Sequence, residues 1–306
     1  MISIAPLAGR TIGIVAPASP FETGKFETGL DVLKAMGFQI FVPGAVKDRT
    51  GYLAGSDHRR AALINELFAD PDISAIWCAR GGYGSMRILP FIDYELICSN
   101  PKPFVGASDV TALLTTLYSC CHIPVFHGPM IVSFADADER TRLSARQAFA
   151  AAERITIKAE PAQVLRPGSA TGKVIGGNLT TLSHLMGTPF EPDFSGHLLF
   201  IEDIGEAPYR IDRMMTQMKM AGKLSHITGL LLGRFCDCGP MDEIHAIIKA
   251  VFQDLLIPIL SGFPAGHGYP NLMLPMGVDA ALDTDQGLLT CHMPPSTQPP
   301  VSSQSK

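Results

Sequence analysis

The chain has 306 residues, 46% hydrophobic and 17% charged, which is apolar material for one large core or two and too little charge for a disordered chain. With 24 Lys and Arg against 29 Asp and Glu, the net charge is −5, so the basic face that a nucleic-acid partner needs is not expected. No run approaches the ~18 apolar residues of a membrane helix, so no membrane partner is expected. The apolar stretch 11–16 is shorter than the apolar region of a secretory signal, about 7–15 residues. The seven cysteines are odd in number and include no CxxC pair. That usage fits a reducing, cytoplasmic setting rather than a disulfide framework.

In chain order, residues 11–16, 38–42, 73–78 and 103–106 read as buried strands. Between them, 25–36 and 57–68 have helical apolar spacing, the second with Ser56 or Asp57 as its N-cap. Helix 110–118 follows the fourth strand directly, and another helical pattern covers 139–153. This alternation predicts a parallel sheet covered by helices, with ligands at the C-terminal strand ends. The polar, proline-containing stretch 158–172 reads as a linker between a domain over 1–157 and one over 173–293. In the second, 198–202 and 228–232 read as strands, and 178–186, 211–220 and 242–255 as helices. The Pro-, Ser- and Gln-rich tail, 294–306, reads as disordered.

Four places could carry chemistry. In GASDV (106–110) a buried strand ends and a helix begins at once, which exposes the Ser108 hydroxyl beside free helix-start N–H groups. Val110 stands where a G-x-S-x-G elbow has its second glycine, and Ser108 or Asp109 would serve equally as a helix cap. CARGGYGS (78–85) is a Gly-rich turn whose amides could approach an oxyanion or a phosphate. It matches neither G-x-G-x-x-G nor the Walker pattern, and a plain strand-to-helix turn explains it as well. Glu202 and Asp203 close an apolar strand, where an acid could orient a histidine, bind a metal or cap the next helix. His267 lies between Gly266 and Gly268, in a shaped loop. His122 and His127 flank Pro124 near a predicted strand and read as packing residues. No HExxH and no carboxylate-rich metal cluster is present, so neither metal nor cofactor is expected. A serine, a carboxylate and a histidine, in the order Ser108, Glu202, His267, make a hydrolase constellation.

The blocks ARGGYGSMRILPFID (79–93), GASDVTALL (106–114), GGNLTTLSHLMGTPF (176–190), LFIEDIGEAPYRIDRMMTQMKMAGKL (199–224) and GHGYPNLMLPMGVDAALD (266–283) resemble the LD-carboxypeptidase family of serine peptidases. With the first strand, the resemblance runs nearly to the tail. It implies Ser108 as nucleophile, Glu202 as acid and His267 as base, with oxyanion donors from the backbone of Asp109 and Gly82. Ala107 stands where the family usually has a larger residue. The implied fold is a flavodoxin- or Rossmann-like parallel-sheet domain carrying Ser108 and a smaller, β-rich α+β domain carrying Glu202 and His267. The implied enzyme is a homodimer that removes the terminal D-Ala from murein tetrapeptide during cytoplasmic peptidoglycan recycling. Arg80 is a candidate partner for the terminal carboxylate of that peptide.

Three other readings use the same residues differently. A microcin-immunity peptidase would share the triad but cleave peptidyl-adenylates, which calls for an aromatic platform; the one tryptophan, Trp77, falls in a predicted buried strand. A cysteine hydrolase would use Cys78. A non-catalytic binding protein would use the Gly-rich turn for a phosphate or nucleotide.

Overall fold

The computed structural model describes residues 9–150 and 153–294. The tail expected to be disordered lies outside them apart from Pro294. The first half contains strands β1 (Thr11–Val15), β2 (Gln39–Phe41), β3 (Ile73–Cys78), β4 (Phe104–Gly106) and β5 (Val125–His127). Helices α1 (Thr23–Ala35), α2 (Asp57–Ala69), α3 (Ser85–Ile88), α4 (Tyr94–Ser99), α5 (Thr111–Cys121) and α6 (Glu139–Ala148) connect and follow them. The five strands are parallel in the order β2-β1-β3-β4-β5, a flavodoxin-like order whose reversal point lies between β1 and β3. Nearly all of β3 (ISAIWC) is buried, as a strand covered on both faces must be. The Ser56 side chain accepts from Arg59 N at 3.3 Å, so Ser56 rather than Asp57 caps α2.

The second half contributes β6 (Arg154–Lys158), β7 (Gln163–Arg166), β8 (Ser169–Asn178), β9 (His197–Ile204), β10 (Gly229–Cys236), β11 (Ile259–Ser261), β12 (Leu274–Met276), β13 (Asp279–Asp283) and β14 (Leu288–His292). Helices α7 (Leu179–Leu185), α8 (Pro208–Met220) and α9 (Met241–Val251) lie between its strands. Eight of these strands form a second sheet, β6-β14-β13-β8-β9-β10-β11-β7, parallel from β8 to β11 and antiparallel elsewhere. The ninth, β12, crosses back to the first sheet and pairs antiparallel with β5.

Three expectations need correction. The stretch 158–172 is built into the second sheet rather than linking two domains. It supplies the end of β6, all of β7 and the start of β8, and so makes this sheet larger than the first. Strands β6 and β7 are the two edges of that sheet, and their half-exposed, polar sequence imitates a linker. The helix expected over 139–153 ends at Ala148, because Phe149 leaves it to bury its ring against Trp77 and Phe126. The last apolar helix stops at Val251 rather than 255. Among the described residues, no helix is long and apolar enough to cross a membrane.

Candidate active site

Ser108 follows β4 at φ 59°, the left-handed region, where a residue with a Cβ is strained and persists only when its surroundings hold it. A single 3-10 turn, Ser108–Val110, carries the chain into α5. Gly106 makes this sharp turn sterically feasible, since a Cβ there would lie 2.3 Å from Val110 Cγ1. The bulky Val110 is thus accommodated where an elbow's second glycine would stand.

The Gly-rich turn after β3 lies against this serine, with Gly81 so near that a Cβ on it would sit 3.0 Å from Ser108 Cβ. Ser19, just past β1, grips the turn from the other side. Its N–H donates to Gly81 O at 3.2 Å, and its Oγ accepts from Tyr83 N at 3.1 Å. Gly82 has φ 105°, and a Cβ there would strike Ser19 Oγ at 2.4 Å, so only glycine fits. Asp109 joins the two turns through its side chain, which accepts from Ser85 N at 2.8 Å. Burial pushes the Asp109 carboxyl up, partly offset by that bond. Arg60, fully buried, donates to Pro17 O and to Gly84 O, the latter at 2.9 Å, and pairs with Asp57. Nothing in the sequence marked Ser19 or Arg60 as supports of this turn. Arg80 is exposed and donates to Pro20 O at 2.8 Å; among the described residues no carboxylate pairs with it.

The carboxylate and the histidine meet. Glu202, on β9, is fully buried, and its Oε2 accepts from both His267 Nδ1 at 2.7 Å and His267 N at 3.1 Å. Gly266 allows the approach, because a Cβ there would lie 2.8 Å from Glu202 Oε2. Burial would raise the Glu202 carboxyl, but the imidazoles of His127 and His267 outweigh it and hold it down to about 2. Burial opposes protonation of His267, yet its bond to Glu202 prevails and raises its pKa above the usual 6.5. Asp203 points to the other face of the strand, as alternation requires. It is saturated by Asn178 Nδ2 at 2.8 Å, Thr180 N at 2.9 Å and Thr180 Oγ1 at 2.8 Å, and so is a structural acid.

Tyr269 Oη donates to Ser133 O at 2.5 Å, and Asn271 N to Thr141 Oγ1 at 2.8 Å, so the His267 loop is tied to the first half. The second half approaches α5 at Gly177, where a Cβ would meet Thr111 Oγ1 at 2.5 Å, and Asn178 N donates to that oxygen at 3.0 Å. A cleft of about 110 Å³ results, lined by Ala107, Gly128, Met130, His267 and Tyr269 among others. Ala107 immediately precedes Ser108, so both candidate reacting turns border one space. His127 was expected only to pack. It does pack, edge-on to Phe200, but its Nε2 also lies 3.7 Å from Glu202 Oε1. Its strand context gave no hint of that neighbour.

Cys78 is buried, and burial pushes its thiol well above the usual 9, which disqualifies it as a nucleophile. Among the described residues, no group of three or more His, Cys, Asp or Glu side chains is placed to hold a metal ion.

Comparison with known proteins identifies the family. Residues 12–128 match the LD-carboxypeptidase N-terminal domain, and residues 171–282 the LD-carboxypeptidase C-terminal domain. A probable murein peptide carboxypeptidase of Bacillus subtilis is 41% identical, over 90% of this chain and 89% of its own. The microcin C7 self-immunity protein MccF of Escherichia coli is 32% identical over 92% of this chain and 93% of its own. A solved MccF structure superposes with a TM-score of 0.89 at 28% identity, covering 97% of this chain and 100% of that one. The muramoyltetrapeptide carboxypeptidase of Oxalobacter formigenes superposes with a TM-score of 0.84 at 30% identity, covering 94% and 100%. With both family domains matched in order and a relative at 41% identity, the chain belongs to the LD-carboxypeptidase family and is a serine-type carboxypeptidase.

Proposed function

We propose that the protein releases the C-terminal D-Ala of murein tetrapeptide, held by an L,D bond, through a Ser108–His267–Glu202 triad. The observation that carries this reading is the pair of hydrogen bonds that the backbone N–H and Nδ1 of His267 donate to one oxygen of buried Glu202. It assigns the ring proton to Nδ1 and leaves Nε2 as the nitrogen available to a nucleophile. Neutral His267 takes the Ser108 proton as Oγ attacks the scissile carbonyl, and ionised Glu202 stabilises the imidazolium. The N–H groups of Asp109 and Gly82 receive the oxyanion. Collapse breaks the C–N bond, and the leaving amine of D-Ala takes the proton from Nε2. A water then gives a proton to the same nitrogen as its oxygen attacks the ester carbonyl; the Ser108 Oγ–C bond breaks, Oγ takes that proton back from Nε2, and the tripeptide, Ser108 and neutral His267 are freed. Arg80, exposed on the Gly-rich turn, pairs with the terminal carboxylate in this scheme. The small cleft supports a small leaving residue. The naming of the Bacillus subtilis relative supports the murein substrate. We place this activity in the cytoplasm, in a homodimer.

One observation favours a second reading, cleavage of peptidyl-adenylates. Beside the Gly-rich turn, the exposed rings of Tyr52 and Tyr83 lie 5.8 Å apart, and such rings could stack a base. The likeness to MccF, one of whose solved structures holds adenosine monophosphate, points the same way. Trp77 takes no part, being buried with its Nε1 donating to Pro129 O at 2.8 Å. Mass spectrometry of both substrate types with the purified protein separates the readings. Loss of one alanine from free tetrapeptide is the expected result; turnover of the adenylate alone transfers the function to the second reading.

A further inference from the structure

The triad acid has a second oxygen and a second imidazole beside it. Glu202 Oε2 is engaged by His267, but Oε1 is buried and makes no hydrogen bond. Facing it at 3.7 Å is Nε2 of His127, which is also fully buried and whose ring nitrogens make no hydrogen bond. A buried imidazole and a buried carboxylate oxygen left unpaired are costly, unless they serve one another. At 3.7 Å the contact is electrostatic rather than a hydrogen bond, and an approach of roughly 0.7 Å would make it one. Catalytic hydrogen bonds are often long before substrate binds and tighten afterwards.

The topology gives the contact a purpose. His127 ends β5, directly opposite Gly106 on the neighbouring strand that leads into Ser108, and Gly128 N donates to Gly106 O at 3.0 Å. Glu202 comes from the other sheet, on the same strand face as Phe200, whose ring packs against His127. His127 is therefore the side chain of the nucleophile's sheet that reaches the triad acid.

We propose that His127 is a positioning residue that presents its Nε2–H to Glu202 Oε1, orienting the carboxylate relative to Ser108 and sharing its charge with His267. This rests on the triad reading above. The titratable groups around the carboxylate are His127 from β5, His267 from its loop, Asp203 on the opposite face of β9, and Cys236 from β10 with Arg234 nearby. Of these, only His127 and His267 stabilise its charge as direct neighbours. Without the His127 donor, His267 alone must balance Glu202, and its own proton becomes harder to remove.

The test needs no substrate, so it is independent of whether murein peptide is cleaved. The His267 ring is titrated by NMR in histidine-labelled protein, with the wild type, His127→Phe and His127→Gln compared. Phenylalanine keeps the packing and removes the donor, whereas glutamine keeps an N–H. The expected result is a rise of about one pH unit in the His267 midpoint for His127→Phe and a near-wild-type midpoint for His127→Gln. An unchanged midpoint in His127→Phe, or an equal rise in both variants, overturns the proposal. Should His127→Phe not fold, the His127 ring of the wild type decides. Its nitrogen spectrum is expected to show the proton on Nε2, and a proton on Nδ1 alone would turn a lone pair toward the carboxylate and overturn the proposal.

Discussion

Glu202 and Asp203 are neighbours in sequence with opposite assignments, and that difference can be measured. Glu202→Gln removes the charge that stabilises imidazolium, so kcat is expected to fall by about 10²–10⁴-fold with the fold intact. Asp203→Asn should spare kcat but lower stability by about 1–3 kcal/mol in urea unfolding, because it disturbs the bonds to Asn178 and Thr180. The reverse ranking in kcat would exchange the two roles. The pH profile has a definite sign. His267 must be neutral to accept the Ser108 proton, and its pKa lies above 6.5, so kcat/KM should rise with pH through a midpoint above that value. Glu202, held near 2, stays ionised throughout that range. In Glu202→Gln the opposing effect of burial is left unbalanced, and the midpoint should drop below the wild-type value; a midpoint that does not move would detach the carboxylate from the base. The strand pattern marked both carboxylates, and only the family resemblance chose Glu202, since adjacent strand residues differ only in the face they present. His267 was legible because two glycines shaped its loop. His127 was not, because nothing in a short apolar strand reveals what a distant strand will place opposite it.

At the scale of elements, the proposed nucleophile and the Gly-rich turn proposed to bind the oxyanion both stand on turns that follow strands, and each turn is braced by its neighbours. Ser108 is held at a left-handed φ between a strand and a helix, and the Gly-rich turn is locked by Ser19 and Arg60. Gly82→Ala should therefore lower kcat by about 10²-fold or more, as loss of an oxyanion donor does, while moving KM less. Full activity in that variant would remove Gly82 from the oxyanion site. The strand-to-helix junction at Ser108 was readable because a buried run stopped and a helical pattern began without a loop between them. The strands of 154–178 were less readable because β6 and β7 are short, largely exposed edges whose few apolar residues, Ile155 and Ile157 in β6 and Val164 and Leu165 in β7, make no long buried run. Strand β12 is three residues long, too short for any period to show.

At the scale of the whole molecule, the site is assembled across the two sheets. Ser108 rides on the first, Glu202 on the second, and His267 on a loop that β12 and its bonds to Ser133 and Thr141 hold to the first. The parallel sheet followed from the early alternation of strands and helices, and its flavodoxin-like character from the family resemblance; the return of β12 followed from neither. Tyr269→Phe, which loses the tie to Ser133, should reduce kcat several-fold while lowering stability by only about 1 kcal/mol. Equal kcat in the two proteins would show that the loop keeps its place without that tie. The most direct measurement is release of D-Ala from free murein tetrapeptide by the wild type and by Ser108→Ala, with melting curves to confirm that both are folded. Release by the wild type, with none above background from the equally stable variant, is the predicted result. Release at the same rate by Ser108→Ala would contradict the assignment of the nucleophile and, with it, the triad.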